Sequence, residues 1–268
     1  MSSTLEVSAY LGGGATSRVY EGVDHAAQRE VAIKIVRADV DARTRARLDR
    51  ELAALTAVRH PGVVAVYGQG ALPDGRPYLV MERIRGKPLH DVLAASPDRR
   101  LPHDRAVALA TDLADALASL HEAGVVHRDV KPANVIVSDD RGPVLVDLGF
   151  ARLSDGGPRL TPDGRVVGTP GFIPPEVLFG VEAGPSADVY ALGVLLFQMI
   201  AGIAPFEGEL SKMIVAIMRG PRPDLRAHAP EISPALAALV ARTLSREAAA
   251  RPKATELADD LRALASGV

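Results

Sequence analysis

Hydrophobic residues follow two regimes along this chain. Up to about Glu82 they form short runs rich in β-branched residues, at Val7–Tyr10, Val31–Val36, Val63–Tyr67 and Arg76–Glu82, and these predict strands, with a turn at Pro73-Asp74-Gly75. One interruption is helical, because Leu48, Leu52 and Leu55 recur on one face between Asp41 and Val58. Beyond Arg85 the helical period dominates. Val107, Ala110, Leu113, Leu117 and Leu120 form a stripe from Asp104 to Ala123, which Gly124 ends. Ser186 is expected to cap a helix carrying Leu192, Leu195, Leu196 and Met199. Ser233-Pro234 and Thr255 start two more, through Leu236–Leu244 and Leu257–Leu264. Strands first and helices after predict an α+β fold.

Composition narrows the function classes. The 268 residues, 47% of them hydrophobic, suffice for one large domain or for two lobes with their own cores. Lys and Arg number 31 against 33 Asp and Glu, so the net charge is −2 and no overall basic field draws in nucleic acid or an anionic membrane. Cysteine is absent, which excludes disulfides, thiolate nucleophiles and cysteine-ligated zinc, and suits a reducing compartment. No apolar run reaches the ~20 residues of a membrane span. The longest candidate, Ala191–Ile203, is broken by Gly193, Gln198 and Gly202, and the N-terminus lacks the order of a signal peptide. A cytoplasmic protein is expected, or the cytosolic domain of a longer, membrane-anchored one.

The densest chemistry lies in His127-Arg128-Asp129-Val130-Lys131-Pro132-Ala133-Asn134 and, after the apolar run Val135-Ile136-Val137, in Asp147-Leu148-Gly149. Two carboxylates, an amide and an ammonium in so short a stretch suit metal-bound phosphate. Asn134 and Asp147 offer hard oxygen donors to Mg²⁺, which prefers carboxylates plus substrate phosphates to an all-protein cage. Asp129 could accept the proton of an attacking hydroxyl, and Lys131 could neutralise a phosphoryl group in transit. Upstream, Leu11-Gly12-Gly13-Gly14-Ala15-Thr16-Ser17-Arg18-Val19-Tyr20 reads either as a Gly-rich hairpin or as a loop whose N–H groups form an anion nest. Lys34, inside an apolar strand, is either an edge residue reaching for water or a buried cation with a partner. Glu51 falls in the stripe of Leu48, Leu52 and Leu55. It is either a surface residue at the stripe's margin or an inward carboxylate whose counter-charge is Lys34.

At these residues the sequence resembles the eukaryotic-like (Hanks-type) Ser/Thr protein kinases, the bacterial group in particular, whose catalytic loop reads His-Arg-Asp and ends in Asn. The resemblance runs from about residue 5 to residue 264. It implies a two-lobed protein-kinase fold. Residues 1–84 would form a small antiparallel sheet with one helix, and residues 85–268 a mainly helical second lobe. It implies transfer of the γ-phosphoryl group of ATP, with Mg²⁺ or Mn²⁺, to Ser and Thr hydroxyls of proteins. Carried over residue by residue, Asp129 is the proton acceptor and Lys131 the cation on the moving group. Lys34 and Glu51 are the pair that holds the α- and β-phosphates, and Asn134 and Asp147 are the metal ligands. Thr169 bonds Asp129 and Lys131. Leu11, Gly12, Gly14 and Ser17 cover the nucleotide, while Val19, Ala32 and Ile136 sandwich its base. Met81 is the gatekeeper, and backbone groups of Glu82 and Ile84 bind the adenine edge. The sequence departs from the family at Ser17, where a third Gly is usual, at Leu148 for Phe, and at Pro174 for Ala.

Gly168-Thr169 and Pro174-Pro175-Glu176 match the substrate-docking end of the family's activation segment. Glu176 is expected to pair with Arg251, Asp188 to tie down the catalytic loop's backbone, and His127 to pack against the Asp-x-Gly turn. Leu153–Gly168 is polar and aperiodic, so it is a functional or a disordered loop. Thr161 is the candidate for activating autophosphorylation, ahead of Ser154, and Asp163 already supplies part of such a charge. Arg128 is either a surface charge or the receiver of that phosphate. Ala133, where Arg-preferring relatives often carry Glu, argues against a strong preference for basic substrates. The expected partners are protein substrates and a second copy for trans-autophosphorylation, with neither nucleic acid nor membrane. Three alternatives stand beside this reading. A silent kinase-shaped binding module would be expected to lack Lys34, Asp129 or Asp147. A small-molecule phosphotransferase generally lacks Lys131-Pro132 and the Thr169–Glu176 segment. A plain ATPase would release phosphate without labelling protein.

Overall fold

In a computed structural model the β-branched runs of the first part become one antiparallel sheet. The structure describes residues 5–13, 17–36, 52–147 and 170–266. Strands β1 (Leu5–Gly13), β2 (Ser17–Asp24), β3 (Arg29–Val36), β4 (Val66–Ala71) and β5 (Pro77–Glu82) are ordered β1-β2-β3-β5-β4. Alternation along the strands sorts their side chains onto two faces. Val31, Ile33, Tyr78 and Val80 form a small cluster of their own. The alternate residues Ala32, Leu79 and Met81 join the main core together with Leu52 and Leu55 of helix α1 (residues 52–57). Lys34, paired across the ladder with Leu79, therefore shares the inward face.

The run expected as a strand at Val63–Tyr67 is divided. Its first residues bond to the C-terminal part, and β4 begins only at Val66. Val63 bridges Leu145 in parallel, Val64 N–H donates to Leu145 O at 3.0 Å, and Leu145 N–H donates to Gly62 O at 2.8 Å. Those bonds join the sheet to a second one, of β6 (Gly86–Pro88), β7 (Val135–Ser138) and β8 (Gly142–Leu145), in the order β6-β7-β8. Period-two patterning cannot tell which neighbour an apolar run will pair with.

The rest is helical: α2 (Leu89–Ala95), α3 (His103–Glu122), α4 (Pro175–Leu178), α5 (Pro185–Ala201), α6 (Leu210–Arg219), α7 (Pro234–Thr243) and α8 (Ala254–Ala265). Helix α5 is buried on nearly every side, as an apolar helix without a polar face must be. It packs against α3 and α7, and α3 in turn packs on α8. Gly193 makes the α5–α7 approach possible, because a Cβ there would run into the Thr243 side chain. Two helix starts differ from expectation. Ser186 is not the cap of α5, since Gly184 precedes Pro185, whose missing N–H is harmless in a first turn. Helix α8 starts at Ala254, with the Glu256 carboxylate accepting from Lys253 N at 2.9 Å. Ser233 does cap α7, accepting from Leu236 N at 3.1 Å. Helices α2, α4 and α6 had no counterpart in the sequence reading. Among the described residues no helix is long and apolar enough to cross a membrane.

Candidate active site

Gly124, at φ +73°, turns the chain out of α3 into the loop 125–134. That loop is held from below by Asp188, in the first turn of α5 and 1% exposed. Its carboxylate accepts from His127 N and Arg128 N, both at 2.8 Å, as expected. It also meets His121 Nε2 at 2.9 Å, a partner that the sequence reading missed. His121 closes the last turn of α3 and reads there as an ordinary polar end residue. Only the fold brings that turn against α5. Arg128 and Asp147 both have left-handed backbones, at φ +66° and +59°. Such strain persists where surrounding bonds over-determine it, as the Asp188 bonds do for Arg128.

His127 is fully buried. Asp129 N–H donates to its Nδ1 at 3.3 Å, and its Nε2 faces Val146 O at 3.2 Å, an arrangement that suits a neutral ring protonated on Nε2. Burial holds its pKa below the ordinary value, against the opposing pull of Asp188, Asp129 and Asp147. The unfolded chain then binds a proton near pH 6.5 that the native ring refuses, so stability is lost as pH falls through and below that value. The expected slope is at most about 1.4 kcal/mol per pH unit for this one group. Melting temperatures between pH 7 and 5 should fall less steeply in His127→Gln than in the wild type. An imidazole that NMR finds protonated at pH 6 in the folded protein would refute the assignment.

The charged groups converge above this support. Lys131 Nζ lies 2.9 Å from Asp129 Oδ2, and Asn134 Nδ2 donates to Asp129 O at 2.8 Å. Val146 N–H donates to Asn134 O at 2.9 Å, which sets Asp147 beside this group. Lys34, 1% exposed, reaches down from β3 to pair directly with Asp147 Oδ1. Burial works against the Asp147 charge, but the Lys34 ammonium, helped by Lys131, holds its carboxyl below the usual carboxylate range. The donor set suits a hard cation. Asp147 keeps a carboxylate, and Asn134, with its Nδ2 committed, keeps Oδ1 as the acceptor. Two protein oxygens are what Mg²⁺ takes when phosphates complete its shell.

The residues expected to line a nucleotide fall on several elements. Ala32, Met81 and Ile84 are buried in the main core, and Val19 and Ile136 are half-buried against it. Leu11 and Gly12 lie on β1, and Ser17, which opens β2, is buried. The Glu82 backbone closes β5. Gly14, Glu51 and Thr169 lie outside the described residues, as do Leu148, Ser154, Thr161 and Asp163. Arg128 has Nη2 at 3.8 Å from Glu182 Oε1. Glu176 and Arg251 form a two-pronged ion pair, Nη1–Oε1 at 2.7 Å and Nη2–Oε2 at 2.8 Å.

Fold and site together are those of a protein kinase. The chain belongs to that family: the model of the protein kinase domain matches residues 5–261. It is 36% identical to serine/threonine-protein kinase PknB of Mycolicibacterium smegmatis, over 92% of this chain and 40% of that protein. It is 38% identical to serine/threonine-protein kinase pkn2 of Myxococcus xanthus, over 96% of this chain and 32% of that protein. The chain thus spans well under half the length of these two relatives. Among solved structures, the PknI kinase domain of Mycobacterium tuberculosis superimposes with a TM-score of 0.76 at 25% identity, covering 97% of this chain and 96% of that one.

Proposed function

We propose that this chain is a Ser/Thr protein kinase that transfers the γ-phosphoryl group of ATP to protein hydroxyls, with autophosphorylation of its own activation segment. The observation that carries this reading is the contact of Lys34 with Asp147, which joins the sheet to the segment that Val146 bonds to Asn134, beside Asp129 and Lys131. Residues 1–84 and 85–268 are taken as the two lobes, with the nucleotide between them.

When bound, Mg²⁺-ATP supplies the phosphoryl group and the metal, Mg²⁺ or Mn²⁺, neutralises its charge. Asp147 and Asn134 hold the metal through oxygen. Lys34, with Glu51, positions the α- and β-phosphates, and the ion pair with Asp147 keeps its ammonium aimed at that place. Asp129 accepts the proton of the attacking Ser or Thr hydroxyl at its carboxylate. Lys131, 2.9 Å from that carboxylate, steadies it and faces the moving phosphoryl group. Thr169 completes the contact with Asp129 and Lys131. Leu11, Gly12, Gly14, Ser17, Val19, Ala32, Met81, Ile136 and the backbone of Glu82 and Ile84 enclose the nucleotide.

The test is incubation of the purified chain with labelled Mg²⁺-ATP and a generic protein acceptor. Label on Ser and Thr of the acceptor, and on Thr161 by mass spectrometry, is expected. Release of free phosphate without protein label would favour a plain ATPase. Label on a small hydroxyl compound alone would favour a small-molecule phosphotransferase.

A further inference from the structure

The segment that leaves β5 is held by charge from both sides. Arg83 Nε donates to Glu21 Oε1 of β2 at 2.8 Å, and Arg85 Nη2 reaches Glu30 Oε2 of β3 at 2.8 Å. Those two contacts face the sheet. The third faces the other way. Glu82 turns its carboxylate to Arg141, in the turn between β7 and β8, with Oε2 2.8 Å from Nη2. That Nη2 is buried and makes no aligned hydrogen bond, so the contact is an ion pair, and Glu82 Oε2 is the charge it faces. The same carboxylate oxygen accepts from Ala65 N–H at 3.4 Å, and Glu82 N–H donates to Ala65 O at 2.9 Å. Asp139 N–H, in the same turn, donates to Arg85 O at 3.3 Å. The Glu82 side chain thus joins the 60–65 loop, the β5 end and the C-terminal sheet.

We propose that Arg141 is a positioning residue for the nucleotide: by anchoring the Glu82 carboxylate it fixes the backbone of residues 82–84 in the direction that receives the base. This rests on the kinase reading, in which that backbone takes the adenine edge. The physical basis is preorganisation. A linker clamped at both ends loses less freedom when a ligand orders it, whereas one released from the C-terminal sheet must be ordered by the ligand itself. Among the described residues Arg141 touches neither phosphate-binding nor proton-accepting groups, so the effect belongs to the base and not to the phosphoryl group. Local sequence pattern does not link positions 82 and 141, the first closing a strand of one sheet and the second lying in a turn of the other.

The test measures ADP binding by calorimetry, and the KM for ATP, in the full chain carrying Arg141→Ala, Arg141→Lys, Glu82→Gln, or Arg141→Ala with Glu82→Gln. Arg141→Ala is expected to raise both the ADP Kd and the KM for ATP about three- to tenfold, with kcat not lowered. Mg²⁺-tripolyphosphate, which lacks a base, should bind wild type and variant alike. Arg141→Lys should recover most of the loss, and the double variant should be no weaker than the worse single. Hydrogen exchange at the amides of 82–85 without nucleotide should quicken in Arg141→Ala. An ADP Kd unchanged by Arg141→Ala, or losses that simply add in the double variant, would overturn the inference while leaving the kinase reading standing. A wild-type chain that binds no ADP at all would overturn both.

Discussion

Asp129→Asn is expected to lower phosphoryl transfer by about 10²–10⁴-fold, the range over which a positioned proton acceptor acts. The amide is nearly isosteric with the carboxylate, and the bond from Asn134 goes to the Asp129 backbone carbonyl, which the substitution leaves in place. The loop should therefore keep its form, with a melting temperature within about 2 °C of the wild type. ADP should still bind, because Asp129 acts on the hydroxyl and not on the nucleotide. Lys34→Met and Asp147→Asn should also abolish transfer, but through the phosphate side, and with some loss of stability, because each removes one partner of an ion pair whose lysine is 1% exposed. Steady-state kinetics beside calorimetry separates the cases. An Asp129→Asn variant that labels protein at the wild-type rate would show that the proton goes elsewhere, and the kinase reading would lose its acceptor.

Glu176→Ala carries the largest expected effect on stability. The Arg251 side chain has no exposed surface, and both its terminal nitrogens are matched to the two oxygens of Glu176. Its remaining bonds run to main-chain oxygens, with Nε on Ser245 O at 2.8 Å and Nη1 on Ser186 O at 3.0 Å, and none of these carries a full charge. Removing Glu176 leaves a guanidinium buried without its counter-charge, which costs about 3–5 kcal/mol. In a chain of this size that lowers the melting temperature by roughly 6–20 °C. Replacing both partners by apolar residues, as in Glu176→Leu with Arg251→Met, should restore part of the loss, since no charge is then stranded. A single variant as stable as the wild type would mean that water or a nearby group takes over the charge. The consequence for activity is indirect. Helix α4 carries Glu176 just after Pro170–Phe172, so loosening it moves the segment proposed to dock substrate.

Much of the site was legible because the reaction demands particular groups at short spacing. Asp129, Lys131 and Asn134 lie within one loop, a combination of groups that suits metal-bound phosphate. Ser233 was readable as a cap because it acts on backbone next to it in the chain, whereas the hold of Asp188 on the amides of His127 and Arg128, 61 and 60 positions away, was expected only from the family resemblance. His121 and Arg141 were not readable. Each does its work on a residue far away in sequence, Asp188 in one case and Glu82 in the other. Their local surroundings look like an ordinary helix end and an ordinary turn. The division of Val63–Tyr67 between two sheets has the same origin, since an apolar run does not say which neighbour will take its N–H groups.

Order along the chain, then, determined the class of this protein: a strand-rich first part, a helix-rich second part, and within the second a loop with the groups proposed to serve phosphoryl transfer. Such features depend on residue type and local period, which a sequence states outright. Only the tertiary structure decided which charges meet. Lys34 lies 113 positions from Asp147, yet the two are in contact, and His121 lies 67 positions from Asp188. A charge is indifferent to separation along the chain and responds to distance in space, and that distance is set by how the sheet and the helices pack.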